Sequence, residues 1–485
     1  MRSHIIRALS VATVAGLVGL SGFVAPVAVA MPEPSYDPAK DIAPPDATPS
    51  PALPMEQKYD ECVQSVLLEN SQLDTIPANN VFRVDKLNQL AVGRGQTVAV
   101  IDSGVNPNVR LSNLIGGGDY IMGGDGLQDC DHHGTLIAGI IAARPSQFPP
   151  GDPKWDAFVG VAPEAAILSI RQTSRAYEPV RPPSGYDALA KSASSIYSLA
   201  QAVRRAADMG ATVINMSVTS CFPAGTPVDD SALAGALHYA AVEKDVVLVA
   251  AAGNVGDTCK QNPGPSTSHP GDIRGWETVE NVSLPSAWDQ FVLSVGGTTL
   301  NGEPYVNTMG GPWVGVAAPA QNIISLNPSD GANGTLVNAQ LKEGENIPIN
   351  GTSLASAYVS GLAALIREKF PNLTAHQVIG RITDTAHDPG TDVANLLGHG
   401  VVDPVAALTA TLPAGPKVAA GVPAQGVSAL PDAVKPDTLA RDMTIRILIV
   451  AGVVIVVFAA VGLAVSSVNY RKNATSGAPF STEQD

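Results

Sequence analysis

From residue 97 onward, short runs rich in valine, isoleucine and leucine alternate with longer stretches in which apolar residues recur at helical spacing. The short runs are almost wholly apolar, which is typical of parallel strands buried on both faces. Alternating strand and helix patterns therefore predict an α/β protein whose mostly parallel sheet is covered by helices. The predicted strands are residues 98–101, 166–170, 212–216, 246–250 and 291–295.

Helices and loops are predicted between these strands. Apolar residues at helical spacing predict helices over residues 196–207 and 233–241, and a third helical pattern opens at Ser353 and runs to about Phe370. Segments rich in proline, or in glycine, asparagine and aspartate, predict surface loops. These predicted loops are residues 145–153, 178–184 and 327–346.

Composition narrows the class of protein. The chain has 485 residues, of which 45% are hydrophobic and 15% charged, so most of it can bury a core. Its net charge of −15 opposes a phosphate backbone, and no run of lysine and arginine with interleaved aromatic residues offsets that charge locally. A folded enzyme fits this composition, and nucleic acid is excluded as an expected partner.

The first thirty residues have the order of a secretory signal peptide. Arg2 and Arg7 precede an apolar run over residues 8–27, and the small residues Ala28-Val29-Ala30 form the predicted cleavage site. An uncleaved N-terminal anchor is the alternative, and either interpretation exports the residues that follow. Residues 31–54 are rich in proline, alanine and aspartate, which predicts an extended leader.

A second apolar segment lies near the other end of the chain. Residues 445–468 are predicted to form a transmembrane helix, since the run 447–468 has no charge and is long enough to cross a bilayer. A buried core helix is the alternative, but such a helix is rarely apolar on every face. Residues 412–444 are predicted to be a proline- and alanine-rich linker, and residues 469–485 a short cytoplasmic tail. The residues between the two apolar segments would then lie on the outer side of the cytoplasmic membrane.

The chain has four cysteines, Cys62, Cys130, Cys221 and Cys259. None forms a Cys-x-x-Cys motif or pairs with a nearby histidine at zinc spacing, and the exported compartment is oxidising. Disulfide bonds are therefore predicted in preference to a metal site, with free buried thiols as the alternative. Sequence alone permits three pairings.

Three polar residues carry the strongest chemical signal. Asp102 follows a predicted strand, His133 precedes a predicted helix, and Ser353 opens another helix, where free N–H groups favour developing negative charge. Each has an ordinary explanation when taken alone: an aspartate in a turn, a structural histidine, a serine that caps a helix. Together they supply a weak nucleophile, a base that takes its proton, and a carboxylate that orients the base. The chain order Asp, His, Ser is one known solution.

The segments around these residues resemble the signature segments of the subtilisin-like, or subtilase, family. They are VAVIDSGV at 98–105, HGTLIAG at 133–139 and NGTSLAS at 350–356, and GVAP at 160–163 also resembles a family segment. The resemblance covers roughly residues 93–412 and implies a three-layer subtilisin-like fold. It also implies a serine endopeptidase with Asp102 as the orienting residue, His133 as the general base and Ser353 as the nucleophile.

Further roles follow from the same resemblance. Asn254 matches the residue whose amide stabilises the oxyanion, and Ser217-Val218-Thr219 are expected to continue a strand and to bind an extended peptide by strand addition. No cofactor or metal is implied. The acidic loop residues Asp119, Asp125 and Asp129 could bind calcium, although solvated loop charge is the simpler interpretation.

The arrangement of the whole chain is similar to that of the mycosins, membrane-anchored proteases associated with type VII secretion systems. This similarity implies the pairings Cys62–Cys130 and Cys221–Cys259, and a partner in a type VII secretion membrane complex. It also implies a catalytic domain over residues 93–411 and an extension, residues 31–92, that wraps this domain and stays attached. The expected substrate is a secreted protein or peptide.

The sequence also allows two rival hypotheses. The first is a scaffold subunit of the secretion complex with dispensable proteolysis, although a pure scaffold has no need for all four of Asp102, His133, Ser353 and Asn254. The second is a nucleotide binder of the Rossmann type, based on the glycines at 116–118 and 123–124. Those glycines lack the strand, spacing and helix that such a site requires.

Overall fold

The computed structural model describes residues 32–419, except for residues 59–61, 257–258, 265–271, 273, 389 and 391–393. Within these residues, no helix is both long enough and apolar enough to cross a membrane. The predicted signal peptide, residues 1–30, and the predicted membrane span, residues 445–468, lie outside the described residues. The same holds for the predicted tail and for most of the linker.

The described residues form sixteen strands and nine α-helices. The strands are β1 (Met55–Gln57), β2 (Ser65–Val66), β3 (Thr97–Asp102), β4 (Leu114–Asp119), β5 (Ala166–Arg171), β6 (Tyr177–Pro179), β7 (Val213–Met216), β8 (Ser220–Pro223), β9 (Val247–Ala251), β10 (Asn281–Leu284), β11 (Val292–Thr298), β12 (Val314–Pro319), β13 (Ser325–Leu326), β14 (Leu336–Val337), β15 (Ala339–Lys342) and β16 (Glu345–Pro348). The helices are α1 (Pro77–Val81), α2 (Val84–Leu90), α3 (His133–Ala142), α4 (Ala188–Asp208), α5 (Ser231–His238), α6 (Thr352–Lys369), α7 (Ala375–Asp384), α8 (Ala394–Leu397) and α9 (Pro404–Thr409).

A seven-stranded sheet lies at the centre, in the order β12-β11-β9-β7-β3-β5-β4. Every neighbouring pair of strands in it runs parallel, as the alternating strand and helix patterns predicted. The order changes direction around β3, since β4 and β5 lie on one side of it and β7 to β12 on the other. In open parallel sheets, sites form at the carboxyl ends of the strands near such a point.

Both faces of the sheet are covered, so the fold has three layers. Side chains alternate along β3: Val98 and Val100 belong to one apolar core, while Ala99 and Ile101 belong to the other. Helices α3 and α6 pack in the first core, and helices α4 and α5 in the second. The sheet strands read as continuous apolar runs because each of their two faces meets one of these cores.

Helix α6 runs through the interior of the first core. Its residues from Thr352 to Ile366 are buried, so its sequence shows almost no polar face. Gly361 allows close packing, since a Cβ atom added there would lie 2.6 Å from the Cβ of Val161. The helix that carries Ser353 is therefore fixed along most of its length.

The N-terminal residues pack along the domain. Tyr36 stacks on His238 with ring centroids 4.1 Å apart, and Gly235 leaves room for the backbone of Ala43. Strand β1 then pairs antiparallel with β6, and β2 pairs antiparallel with β15. The leader predicted over residues 31–54 contains no helix or strand among its described residues, but several of them contact the domain.

Two loop predictions were wrong in part. Residues 327–346 contain β14, β15 and the start of β16, and the last two form a hairpin that adds to β2. Residues 178–184 begin inside β6, because β1 provides an antiparallel partner for that strand. In both places the partner strand belongs to the N-terminal extension or is remote in sequence, so local composition could not reveal the pairing.

Candidate active site

Asp102 is the last residue of β3, at the carboxyl end of the sheet. Its side chain is 1% exposed. One carboxylate oxygen, Oδ1, accepts a hydrogen bond from the backbone N–H of Ser103 at 2.6 Å and lies 3.0 Å from the Ser103 hydroxyl oxygen. The carboxylate is thus held in one orientation at the edge of the sheet.

His133 is the first residue of α3 and faces this carboxylate. Its Nδ1 lies 2.8 Å from Asp102 Oδ1 and 3.0 Å from Oδ2. The next residue must be glycine, because a Cβ atom at Gly134 would lie 2.0 Å from the carbonyl oxygen of Gly104. This close approach of α3 to the loop after β3 places the imidazole beside the end of the strand.

Ser353 lies in the first turn of α6, with 7% of its surface exposed. Its Oγ is 2.9 Å from Nε2 of His133. The structure therefore brings together all three predicted residues, although His133 and Ser353 are 220 positions apart in the chain. The backbone N–H of Ser353 belongs to a turn whose N–H groups lack partners within the helix.

The pKa of His133 is raised above its ordinary value. Burial opposes the charged imidazolium, but the negative charge of Asp102 and its hydrogen bond to Nδ1 outweigh that effect. Asp129 also raises this pKa through its charge, and the cation of Arg175 lowers it. An imidazole in this setting takes up a proton readily and is stabilised once charged.

His132, the residue before His133, is directed away from Asp102 and Ser353. It has a left-handed backbone, with φ of 60°, and its side chain is buried. Its Nδ1 lies 3.0 Å from the Ser65 hydroxyl and its Nε2 lies 3.3 Å from the Ser329 hydroxyl. Burial lowers the pKa of His132 to about 4, so near neutral pH it is an uncharged link between the extension and the turn before His133.

Asn254 lies on the other side of Ser353. Its Oδ1 accepts a hydrogen bond from the backbone N–H of Thr352 at 3.0 Å, which fixes the orientation of its amide. A Cβ atom added at Gly351 would lie 3.4 Å from Ser353 Oγ and 3.7 Å from Asn254 Nδ2. The serine hydroxyl and the amide nitrogen therefore both border the space beside Gly351.

The three residues expected to bind an extended peptide do not lie in a strand, contrary to the prediction. Strand β7 ends at Met216, so Ser217, Val218 and Thr219 lie just beyond the strand and do not continue it. The Ser217 hydroxyl donates to the carbonyl oxygen of Ser353 at 3.1 Å. This contact directs the Ser217 side chain toward the helix that carries Ser353.

The four cysteines form two disulfide bonds, Cys62–Cys130 and Cys221–Cys259. These are the pairs that the family resemblance implied. Cys130 lies three residues before His133, and its carbonyl oxygen accepts a hydrogen bond from the backbone N–H of Val63 at 2.9 Å. The first bridge therefore fastens the extension beside the histidine.

The three acidic loop residues that could bind calcium each interact with a different partner. Asp119 pairs with Arg171, Asp125 accepts from the backbone of Leu127, and Asp129 accepts from Thr135. The described part of the chain contains no group of three or more histidine, cysteine or acidic residues that could hold a metal ion.

Sequence analysis missed the residues that support the site. Ser103 contacts Asp102, the hydroxyl of Ser217 donates to the backbone of Ser353, and Asp129 contacts Ser103. One signal is available in the sequence: Asp129 stands four residues before His133, although solvated loop charge is the simpler interpretation of an acidic loop residue.

Comparison with known proteins places this geometry in a family. A sequence model of the subtilase family matches residues 93–400. Mycosin-1 of Mycobacterium tuberculosis is 45% identical over 440 residues, covering 90% of this chain and 94% of that protein. Mycosin-2 of the same organism is 40% identical over 526 residues, covering 91% of this chain and 94% of that protein.

Solved structures give the same result. The crystal structure of MycP1 from the ESX-1 type VII secretion system is 44% identical, with a TM-score of 0.75, and the match covers 80% of this chain and 98% of that one. A chain in the periplasmic assembly from the ESX-5 inner membrane complex is 40% identical, with a TM-score of 0.74 and coverage of 84% and 100%.

Proposed function

Because the chain belongs to the subtilase family and, within it, to the mycosins, it is a serine endopeptidase, and we propose that Asp102, His133 and Ser353 are its catalytic residues. The proposed substrates are secreted proteins, cleaved on the outer side of the cytoplasmic membrane. One observation carries the assignment: Ser353 Oγ lies 2.9 Å from His133 Nε2, whose other nitrogen faces a buried carboxylate.

This contact supports acyl transfer. Ser353 Oγ attacks the scissile carbonyl carbon while its proton moves to His133 Nε2, and Asp102 stabilises the imidazolium that forms. The C–N bond then breaks, and His133 returns the proton to the leaving amine. In the second half, His133 takes a proton from water, the hydroxide equivalent attacks the acyl-enzyme, and Ser353 Oγ leaves with that proton.

Two hydrogen-bond donors are available to stabilise the oxyanion. Asn254 Oδ1 is occupied by the backbone N–H of Thr352, so its Nδ2 is the free end of the amide. We assign the oxyanion to this Nδ2 group and the backbone N–H of Ser353. Both donors are fixed before substrate arrives, and such preorganised donors are worth most as charge develops.

The backbone beside Ser353 offers a place for an extended substrate. Residues 217–219 follow the last ladder position of β7 and pair with no strand in the described part of the chain. Their backbone groups can therefore pair with a substrate segment, as in strand addition. The Ser217 side chain does not face the substrate in this scheme, and it supports the Ser353 backbone instead.

Targeting and attachment complete the proposal. Residues 1–30 would be a signal peptide and residues 445–468 a membrane span, with the catalytic domain over residues 93–411 held outside by a linker. The extension, residues 31–92, would remain as a permanent wrap, which its disulfide to Cys130 and its pairing through β1 and β2 support.

A scaffold role is the second candidate function. Chains similar to this one occur in the structures of an intact ESX-5 inner membrane complex and of its periplasmic assembly. This favours a structural contribution to a secretion complex beside proteolysis. The two roles are not exclusive, and they are separated by the effect of removing the nucleophile.

Hydrolysis by the purified chain tests the enzymatic proposal. The full chain in detergent should cleave an unfolded protein faster than the same protein in its folded form, because strand addition needs an extended segment. A serine-directed inhibitor should stop the cleavage, and mass spectrometry of the products gives the cleaved bonds. Absence of cleavage, or cleavage that the inhibitor leaves unchanged, would contradict the proposal.

A further inference from the structure

A second buried carboxylate, Asp129, lies behind the catalytic residues. Its side chain is 3% exposed, and its Oδ1 is 2.8 Å from the hydroxyl of Ser103. The same hydroxyl is 3.0 Å from Oδ1 of Asp102. Ser103 therefore bridges two carboxylates, one of which holds His133.

The Ser103 hydroxyl has a single proton, which it can donate to only one carboxylate at a time. A serine hydroxyl donates one hydrogen bond, and here its oxygen already accepts one from the backbone N–H of Gly134 at 2.9 Å. When both carboxylates are ionised, only one of them receives the Ser103 proton. The shorter distance, to Asp129, favours that residue as the acceptor.

The hydrogen bonds that hold Asp129 come from neutral groups. Its Oδ2 accepts from the backbone N–H of Thr135 at 2.8 Å and from the Thr135 hydroxyl at 2.6 Å. Its backbone N–H donates to Oδ1 of Asn106 at 2.7 Å. It forms no ion pair with a lysine or arginine of the described residues, which makes its burial costly.

The charged groups around Asp129 come from two elements. Asp102 at the end of β3 raises the pKa of Asp129, and His133 at the start of α3 interacts with its charge. Burial is the largest cause and raises the pKa of Asp129 to about 6, against hydrogen bonds from Thr135 and Ser103 that lower it. Asp129 thus takes up a proton at a higher pH than an ordinary carboxylate does.

We propose that Asp129 is a positioning residue that acts through Ser103, and that its negative charge strengthens the hold of Asp102 on the proton-bearing form of His133. The inference rests on the proposed catalytic roles of Asp102, His133 and Ser353. Asp129 touches neither substrate nor reacting atoms, and it acts only through the carboxylate of Asp102 and through its own charge.

Protonation of Asp129 reverses the direction of its hydrogen bond with Ser103. The new Asp129 hydroxyl donates to the Ser103 oxygen, and the Ser103 proton then turns to Asp102. Two effects follow: one negative charge near His133 is lost, and Asp102 receives a further hydrogen bond that makes it a weaker partner for the imidazolium. Both effects lower the proton affinity of His133.

The substitution Asp129→Asn mimics protonated Asp129 and keeps the Ser103 proton directed toward Asp102. The new amide oxygen can accept from Thr135 while the amide nitrogen donates to Ser103, so the hydrogen bonds remain and the charge is removed. We expect the acid-side midpoint of Ser353 reactivity to fall by about 0.5–1 pH unit, and the plateau rate to fall about 3–10-fold. Asp129→Ser removes the same charge with a smaller side chain and should lower the midpoint equally.

Asn106→Ala is the matched control. Asn106 holds the same loop through the backbone of Asp129, at 2.7 Å, and carries no charge. Its loss should lower the melting temperature and leave the acid-side midpoint unchanged. A midpoint shift of the same size in this variant would show that a loosened loop, and not a lost charge, moves the profile.

The rate of covalent labelling by a fluorophosphonate, followed against pH on the full chain, is the measurement. Labelling forms a P–O bond to Ser353 Oγ with loss of fluoride, so it needs neutral His133 but no substrate. Failure of the wild type to label would overturn the proposed function itself. A wild type that labels, with a folded Asp129 variant whose midpoint stays within 0.2 pH unit of it, would overturn only the role of Asp129.

Discussion

Replacing Ser353 by alanine is expected to lower kcat by about 10⁵–10⁶-fold, the scale measured when the nucleophile is removed from a triad of this kind. The melting temperature should stay close to that of the wild type. Within the described part of the chain, the Ser353 hydroxyl hydrogen-bonds only to Nε2 of His133, and the helix around it is buried through other residues. Peptide hydrolysis and melting curves on the purified full chain measure both quantities.

The same variant separates the two candidate functions. If proteolysis is the main role, cells that carry Ser353→Ala should lose processing of a secreted protein while the membrane complex still assembles. Ser360→Ala is the matched control: Ser360 lies on the same helix, is buried, and donates to Oδ1 of Asn215 at 2.9 Å. Its loss should cost about 1 kcal/mol of stability and little activity. Unaltered processing and secretion in Ser353→Ala would remove the enzymatic role in the cell.

The second large effect is expected at Asn254. Asn254→Ala should lower kcat by about 10²–10³-fold with little change in KM, as loss of the matching donor does in subtilisin. The amide donor acts on the oxyanion, which exists only after attack, so substrate binding does not depend on it. Steady-state kinetics on a peptide that the wild type cleaves measures the two constants separately.

Asn254 also has a structural contact that the control must preserve. Its Oδ1 accepts from the backbone N–H of Thr352, and alanine would free that group as well. Asn254→Asp keeps an acceptor there and removes the amide donor, so its kcat should fall at least as far. An aspartate variant with the wild-type kcat would contradict the assignment of Asn254 to the oxyanion.

The central sheet could be predicted because its chemistry is local. Buried parallel strands need continuous apolar runs, and all five predicted runs are strands of the central sheet. The two missed strands of that sheet, β4 and β12, are rich in glycine and alanine, so they lack the large side chains that mark a strand. Both stand at edges of the sheet, where fewer apolar contacts are needed.

The central residues of the site could also be predicted, because each stands in a short motif with a fixed place at the end of a strand or the start of a helix. The residues that support them, Ser103 and Asp129, could not be predicted. The bridge from Asp102 through Ser103 to Asp129 joins a strand end to a loop, and its meaning depends on burial that no local pattern reveals. The hairpin of β15 and β16 was likewise hidden, since its neighbour β2 lies far away in the chain.

Covalent labelling of the purified full chain by a fluorophosphonate, with the modified residue mapped by mass spectrometry, tests the convergence of Asp102, His133 and Ser353 most directly. The 2.9 Å contact between His133 Nε2 and Ser353 Oγ predicts a single adduct, on Ser353, that is absent from Ser353→Ala. A folded wild-type protein that stays unlabelled, or that carries its adduct on another residue, would contradict the assignment.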